Sequence, residues 1–177
     1  MKLSKVLFSV AMTVMMLFSV AVSASPKKLV LGFAQIGAES GWRTAETGSI
    51  KAAAKAQGIT LKFSDAQQKQ ENQIKALRSF IAQKVDVIAL APVVESGWDT
   101  VLQEAKKAKI PVIIVDRTIN VKDESLYATF VGSDFPLEGK NAAIEMAKLL
   151  NNTGNIVELQ GTVGSSAQVD RLKGFAD

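Results

Sequence analysis

The sequence predicts an α/β fold built on a doubly wound parallel sheet. Three observations predict it. From residue 29 onward, short apolar runs alternate with longer segments of helical periodicity, the order that a parallel sheet with crossover helices imposes. The run Val112-Ile113-Ile114-Val115 is wholly β-branched, follows Pro111 and stops at Asp116-Arg117, which suits a strand buried on both faces. The chemically richest turns follow apolar runs, at the carboxyl ends of strands, where open α/β sheets hold ligands.

The first residues are read as an export signal and not as fold. Lys2 and Lys5 give a positive start, Val6 to Val22 is apolar, and Val22-Ser23-Ala24 offers small residues for cleavage. Cleavage is expected after Ala24, which makes the mature protein an exported one. It removes two lysines and no acid, so the formal charge falls from +4 to +2. A mildly basic chain with lysines dispersed among acids argues against a nucleic-acid footprint. There is no cysteine and no histidine. The usual zinc ligands, the thiol nucleophile and the commonest general base are therefore missing. The composition leans towards binding, with no catalytic residue, metal or cofactor expected.

The elements follow in order. Leu29 to Phe33 is a first strand, broken by Ala34-Gln35 and the turn to Arg43. That turn lacks the G-x-G-x-x-G spacing of a dinucleotide site. Ser40 is the expected N-cap of a helix that stops at Gly58. Ile59 to Phe63 alternates as a second strand. Ile74, Leu77 and Ile81 then share one helical face. Asp86 to Leu90 is a third strand, Ser96 the expected cap of the next helix, and Val101, Leu102 and Ala105 its apolar stripe. Val112 to Val115 is the central fourth strand. After an exposed stretch, Leu126 to Val131 is a fifth, and Asp134 with Pro136 opens a helix running to about Leu150. Asn155 to Leu159 is read as a sixth strand, and Gly161 to Ser166 as a turn into a last helix. That helix has barely begun at Asp177, so a fragment of a longer protein is expected.

The candidate site lies in the turns after strands one, four and six. They carry Glu39, Trp42 and Arg43, then Asp116 and Arg117, then Gln160 and Arg171. Carboxylates accept, guanidinium forks donate and a tryptophan face packs on C–H groups, which together suit a polyhydroxylated ligand. Bland readings stand beside each: Trp42 as core, Arg43 as a solvated residue, Arg171 as an ion-pair partner, Asp116-Arg117 as a strand cap. A cation in a first helical turn opposes the helix dipole, which hints at another use for Arg43.

The Gly32-Phe33-Ala34-Gln35 entry, the Asp116-Arg117 pair and Gly161-Thr162 leading to Arg171-Leu172-Lys173-Gly174-Phe175 resemble the periplasmic sugar-binding proteins of bacterial ABC transporters. The tracts Gly37 to Arg43 and Ser64 to Ala76 resemble, more narrowly, the galactofuranose-binding members of that family. The resemblance implies two lobes closing on a monosaccharide, a first lobe over 25–132, and the start of a second over 133–177. It implies Glu39, Trp42, Arg43, Asp116, Arg117 and Arg171 as sugar contacts, an inner-membrane ABC permease as partner, and a monomer. Two alternatives stay open: a sugar-sensing input domain of a receptor or regulator, and a glycosidase using Glu39 and Asp116 as its carboxylate pair.

Overall fold

The structure, a computed structural model, describes residues 27–177. The expected export signal at residues 1–24 lies outside them. Five strands are formed: β1 (Val30–Gln35), β2 (Thr60–Asp65), β3 (Val87–Leu90), β4 (Val112–Asp116) and β5 (Thr129–Gly132). Helices α1 (Gly41–Ala56), α2 (Gln70–Ala82) and α3 (Asp99–Lys107) connect the first four strands. A short 3-10 turn, Glu124–Leu126, precedes β5, and α4 (Phe135–Leu149) and α5 (Ser166–Ala176) follow it. All pairings are parallel, in the order β2-β1-β3-β4-β5. This is a doubly wound sheet whose winding reverses between β1 and β3, the place where such sheets open a ligand crevice.

The side chains explain the layering. On β3, Ile88 and Leu90 point into the cluster formed with Leu77 and Phe80 of α2 and Val101, Leu102 and Ala105 of α3. Ala89 points the other way and joins Phe33, Ile36 and Val93, with Ile50 of α1 packed against them. This alternation is the period of two that a strand imposes. Each large apolar side chain so buried contributes on the order of 1.5–3 kcal/mol. Fully buried Trp98 also satisfies its indole, which donates to the Val94 carbonyl at 2.7 Å.

Several expectations are corrected. The sheet centres on β3, with β4 second from the edge; Val112 and Ile114 are buried while Ile113 and Val115 are half-buried, so one face of β4 is only partly covered. Ala34 and Gln35 belong to β1, because they pair with Ser64 and Asp65 of β2. On α2 Ile74, Leu77 and Ile81 do face one cluster, as expected, and Gln73, Ala76 and Phe80 are buried beside them. Ser96 is not a cap. Gly97 turns left-handed at φ +87° and Trp98 plunges into the core, which puts the helix start at Asp99. Leu126 sits in the 3-10 turn, held by Asp123, which accepts from the Ser125 amide at 2.9 Å, and β5 begins only at Thr129. Asn155 to Leu159 forms no strand. Val157 and Leu159 are 89% and 94% exposed, and among the described residues no neighbouring strand offers them a ladder.

Candidate functional site

The carboxyl ends of β1 and β3 are tied together by one buried amide. Gln73 donates from Nε2 to the carbonyls of Ala34 and Ala91, and its Oε1 accepts from the Val93 amide at 2.9 Å. Beyond β1 the chain enters α1 through Ser40, as expected, with its hydroxyl accepting from the Arg43 amide at 3.1 Å. Arg43 is thereby fixed in the first turn, and its side chain folds inward.

Arg43 is 3% exposed and holds three carboxylates. Nη2 donates to Asp116 Oδ2 at 2.8 Å, Nη1 to Glu46 Oε2 at 2.6 Å, and Nε to Glu39 Oε1 at 3.4 Å. Burial works against its charge, but the hydrogen bonds and attraction from Asp116 and Glu46 outweigh it and hold its pKa above the ordinary arginine value. This removes the reading of Arg43 as a solvated residue. Trp42, beside it, is 58% exposed, so it is no core residue. Its ring lies 4.8 Å from the Arg43 guanidinium carbon, a cation–π contact that steadies an exposed aromatic face.

Asp116 ends β4 in the left-handed region, at φ +64°. Its register partner is Gly132, where a Cβ would meet the Asp116 carbonyl oxygen at 2.5 Å. Only glycine clears that turn of the backbone. Arg117 follows, mostly buried, with Nη1 donating to the Val93 carbonyl at 3.1 Å and Nε lying 3.9 Å from Asp116 Oδ2. Burial and then repulsion from Arg43 bring its pKa below the ordinary arginine value, despite attraction from Asp116 and Glu39.

The facing wall is built by α4 and α5. Asp134 caps α4, accepting from the Leu137 amide at 3.0 Å. The two helices touch backbone to backbone: a Cβ on Gly139 would meet the Arg171 carbonyl oxygen at 2.1 Å, and one on Gly174 that of Pro136 at 1.9 Å. This closeness lets Arg171 lie over the Phe135 ring at 4.6 Å and pair with Glu138 at 2.8 Å. Two bonds stitch the walls: the Thr118 amide donates to Ser166 Oγ at 2.9 Å, and the Glu95 amide to the Gly164 carbonyl at 2.9 Å.

Glu39, Trp42, Arg43, Asp116, Arg117 and Arg171 thus line one cavity of about 300 Å³, with Phe135 and Glu138 on its far side. That volume is at the small end of the range for small-molecule sites. Gln160 lies in an adjoining hollow of about 140 Å³ that shares Arg117 and Arg171 with it, and accepts from Gln168 Nε2 at 3.3 Å. A larger hollow of about 490 Å³ between β2 and α2 lies at the sheet edge, away from this convergence of charge. Glu39 and Asp116 grip different nitrogens of one guanidinium, so they act as parts of a charge clamp. Sequence reading missed Glu46, Phe135 and Glu138. Glu46 was findable, being three residues beyond Arg43 and so on the same helical face. Phe135 and Glu138 were signalled only by following the cap at Asp134.

The chain belongs to the periplasmic binding protein domain family, which it matches over residues 31–177. It is 59% identical over 150 residues to the galactofuranose-binding protein YtfQ of Escherichia coli (strain K12), covering 84% of this chain and 47% of that protein. The periplasmic binding protein component of the arabinose ABC transporter from Shewanella sp. ANA-3, solved with α- and β-L-arabinofuranose, superposes with a TM-score of 0.80 at 58% identity, over 82% of this chain and 48% of that one. A Mycobacterium smegmatis protein in complex with β-D-fucofuranose gives 0.80 at 54% identity, over 84% and 50%. The chain spans about half the length of the curated relatives it matches. No helix among the described residues is long and apolar enough to cross a membrane.

Proposed function

We propose that this chain is the ligand-capturing part of an exported monosaccharide-binding protein that serves an ABC permease in the inner membrane. Galactofuranose is its first candidate sugar. Residues 25–132 would form the first lobe and 133–177 the opening of the second. The observation that carries the reading is the convergence of Glu39, Trp42, Arg43, Asp116, Arg117 and Arg171 on one cavity at the carboxyl ends of β1 and β4. Three guanidinium groups donate, carboxylates accept, and the exposed Trp42 face takes the apolar side of a ring. The relatives named for furanose sugars support the ring form. A handful of charge-assisted hydrogen bonds, each about 1.5–3 kcal/mol, suffices for micromolar capture.

The test uses the full-length protein and D-galactose, which in solution presents both ring forms. Calorimetry gives the affinity and NMR of ¹³C-labelled sugar identifies the bound ring. The furanose is expected to be selected. Bound pyranose in equal measure, or tighter binding of ribose, would overturn the furanose assignment.

A further inference from the structure

Gln35 and Glu46 stand behind the cavity and do not line it. Gln35 ends β1 and is completely buried. Its Oε1 accepts from the Ile36 amide at 2.8 Å, so the backbone fixes which way the side-chain amide faces. Its Nε2 is then turned outward and donates to Glu46 Oε2 at 3.0 Å and Thr47 Oγ1 at 3.0 Å. The same Glu46 oxygen accepts from Arg43 Nη1 at 2.6 Å. A chain of hydrogen bonds therefore runs from the strand backbone through Gln35 and Glu46 to Arg43.

A guanidinium is planar and its five N–H directions are rigidly related. Fixing Nη1 fixes where Nε meets Glu39, where Nη2 meets Asp116, and where the two remaining N–H groups point. We propose that Gln35 and Glu46 are positioning residues, which set the plane of Arg43 and through it the carboxylates that a sugar would meet. The proposal rests on the sugar-binding reading of this cavity. Glu46 does more than neutralise charge, because Glu39 and Asp116 already supply two carboxylates to one guanidinium. Its distinct contribution is reach: among the described residues it alone connects Arg43 to the buried strand amide.

That contrast defines the variants, made in the full-length protein and titrated with D-galactose alongside thermal unfolding. Glu46→Gln keeps the acceptor and discards the charge, whereas Glu46→Asp keeps the charge and retracts it by one methylene. Positioning predicts that Glu46→Asp weakens binding roughly tenfold or more and Glu46→Gln less. Gln35→Glu sets two carboxylates against each other and should weaken binding similarly. Adding Glu46→Gln to it restores the bond between the two side chains with its polarity reversed, but turns an amide donor towards Arg43 Nη1, so stability should recover while affinity stays low. The reverse order of the two Glu46 variants, or a swap that recovers the full affinity, would overturn the proposal.

A ligand-free readout separates this idea from the choice of sugar. In the wild type the Arg43 Nη resonances should be resolved by hindered rotation of the guanidinium, and in Glu46→Asp they should merge. If the wild type ignores D-galactose, the assigned sugar fails while these resonances still decide on positioning. Unchanged Arg43 resonances in a folded Glu46→Asp variant would end the proposal.

Discussion

Asp116 joins a backbone requirement to a charge requirement. At φ +64° it occupies a region that asparagine also tolerates, so Asp116→Asn leaves the turn intact and removes only the charge. The expected outcome is a folded protein whose D-galactose affinity falls by about tenfold or more, as Arg43 loses one of its charged partners. Arg117→Lys should cost on the order of 2 kcal/mol, about thirtyfold in Kd, because an ammonium cannot reproduce a planar fork. Its Nη1 also holds the Val93 carbonyl, so some stability goes too. Calorimetry with parallel thermal unfolding separates the effects, and wild-type affinity in folded Arg117→Lys would remove this residue from the site. Much of this was legible in the chain, since an arginine in a first helical turn conflicts with the helix dipole. Its partners were legible only in part: Glu46 shares its helical face, but Asp116 lies 73 residues away and meets it only through the fold.

At the scale of elements, the loop after β3 meets the start of α5 through the Glu95 amide and the Gly164 carbonyl. There the Glu95 side chain is half-buried, and burial, then repulsion from Asp170 on α5, raises its pKa above the ordinary glutamate range. The folded state therefore holds this proton more tightly than the unfolded one. The group costs nothing below about pH 4, where both states are protonated, and destabilises progressively as pH climbs through the raised folded value. Glu95→Gln should melt with the wild type at low pH and above it near neutrality. A melting-temperature difference that is constant across pH would refute the assignment. Helix and strand order was readable because apolar period and cap chemistry agreed, as at Ser40 and Asp134. Ser96 misled because burial of Trp98 overrode a good capping residue.

For the whole molecule, the decisive contrast lies between the sheet with its two packed clusters and a following segment that leaves apolar residues uncovered. Ile156, Val157 and Leu159 are exposed, as is Leu149 at the end of α4. The alternation of Asn155 to Leu159 reads as a strand, yet a strand exists only where a neighbour accepts its hydrogen bonds. The relatives are about twice as long as the chain, and polypeptide of that extra length is a source of such a neighbour. We therefore predict that amides 155–159 exchange rapidly with solvent in a protein of these 177 residues and slowly in one of the relatives' full length. Amides of Val112 to Asp116 should be protected in both, because β4 is already paired on each side. Hydrogen exchange read by mass spectrometry compares the two directly. Rapid exchange at 155–159 in the longer protein would show that the segment is a loop, and that the apolar alternation there serves something other than a sheet.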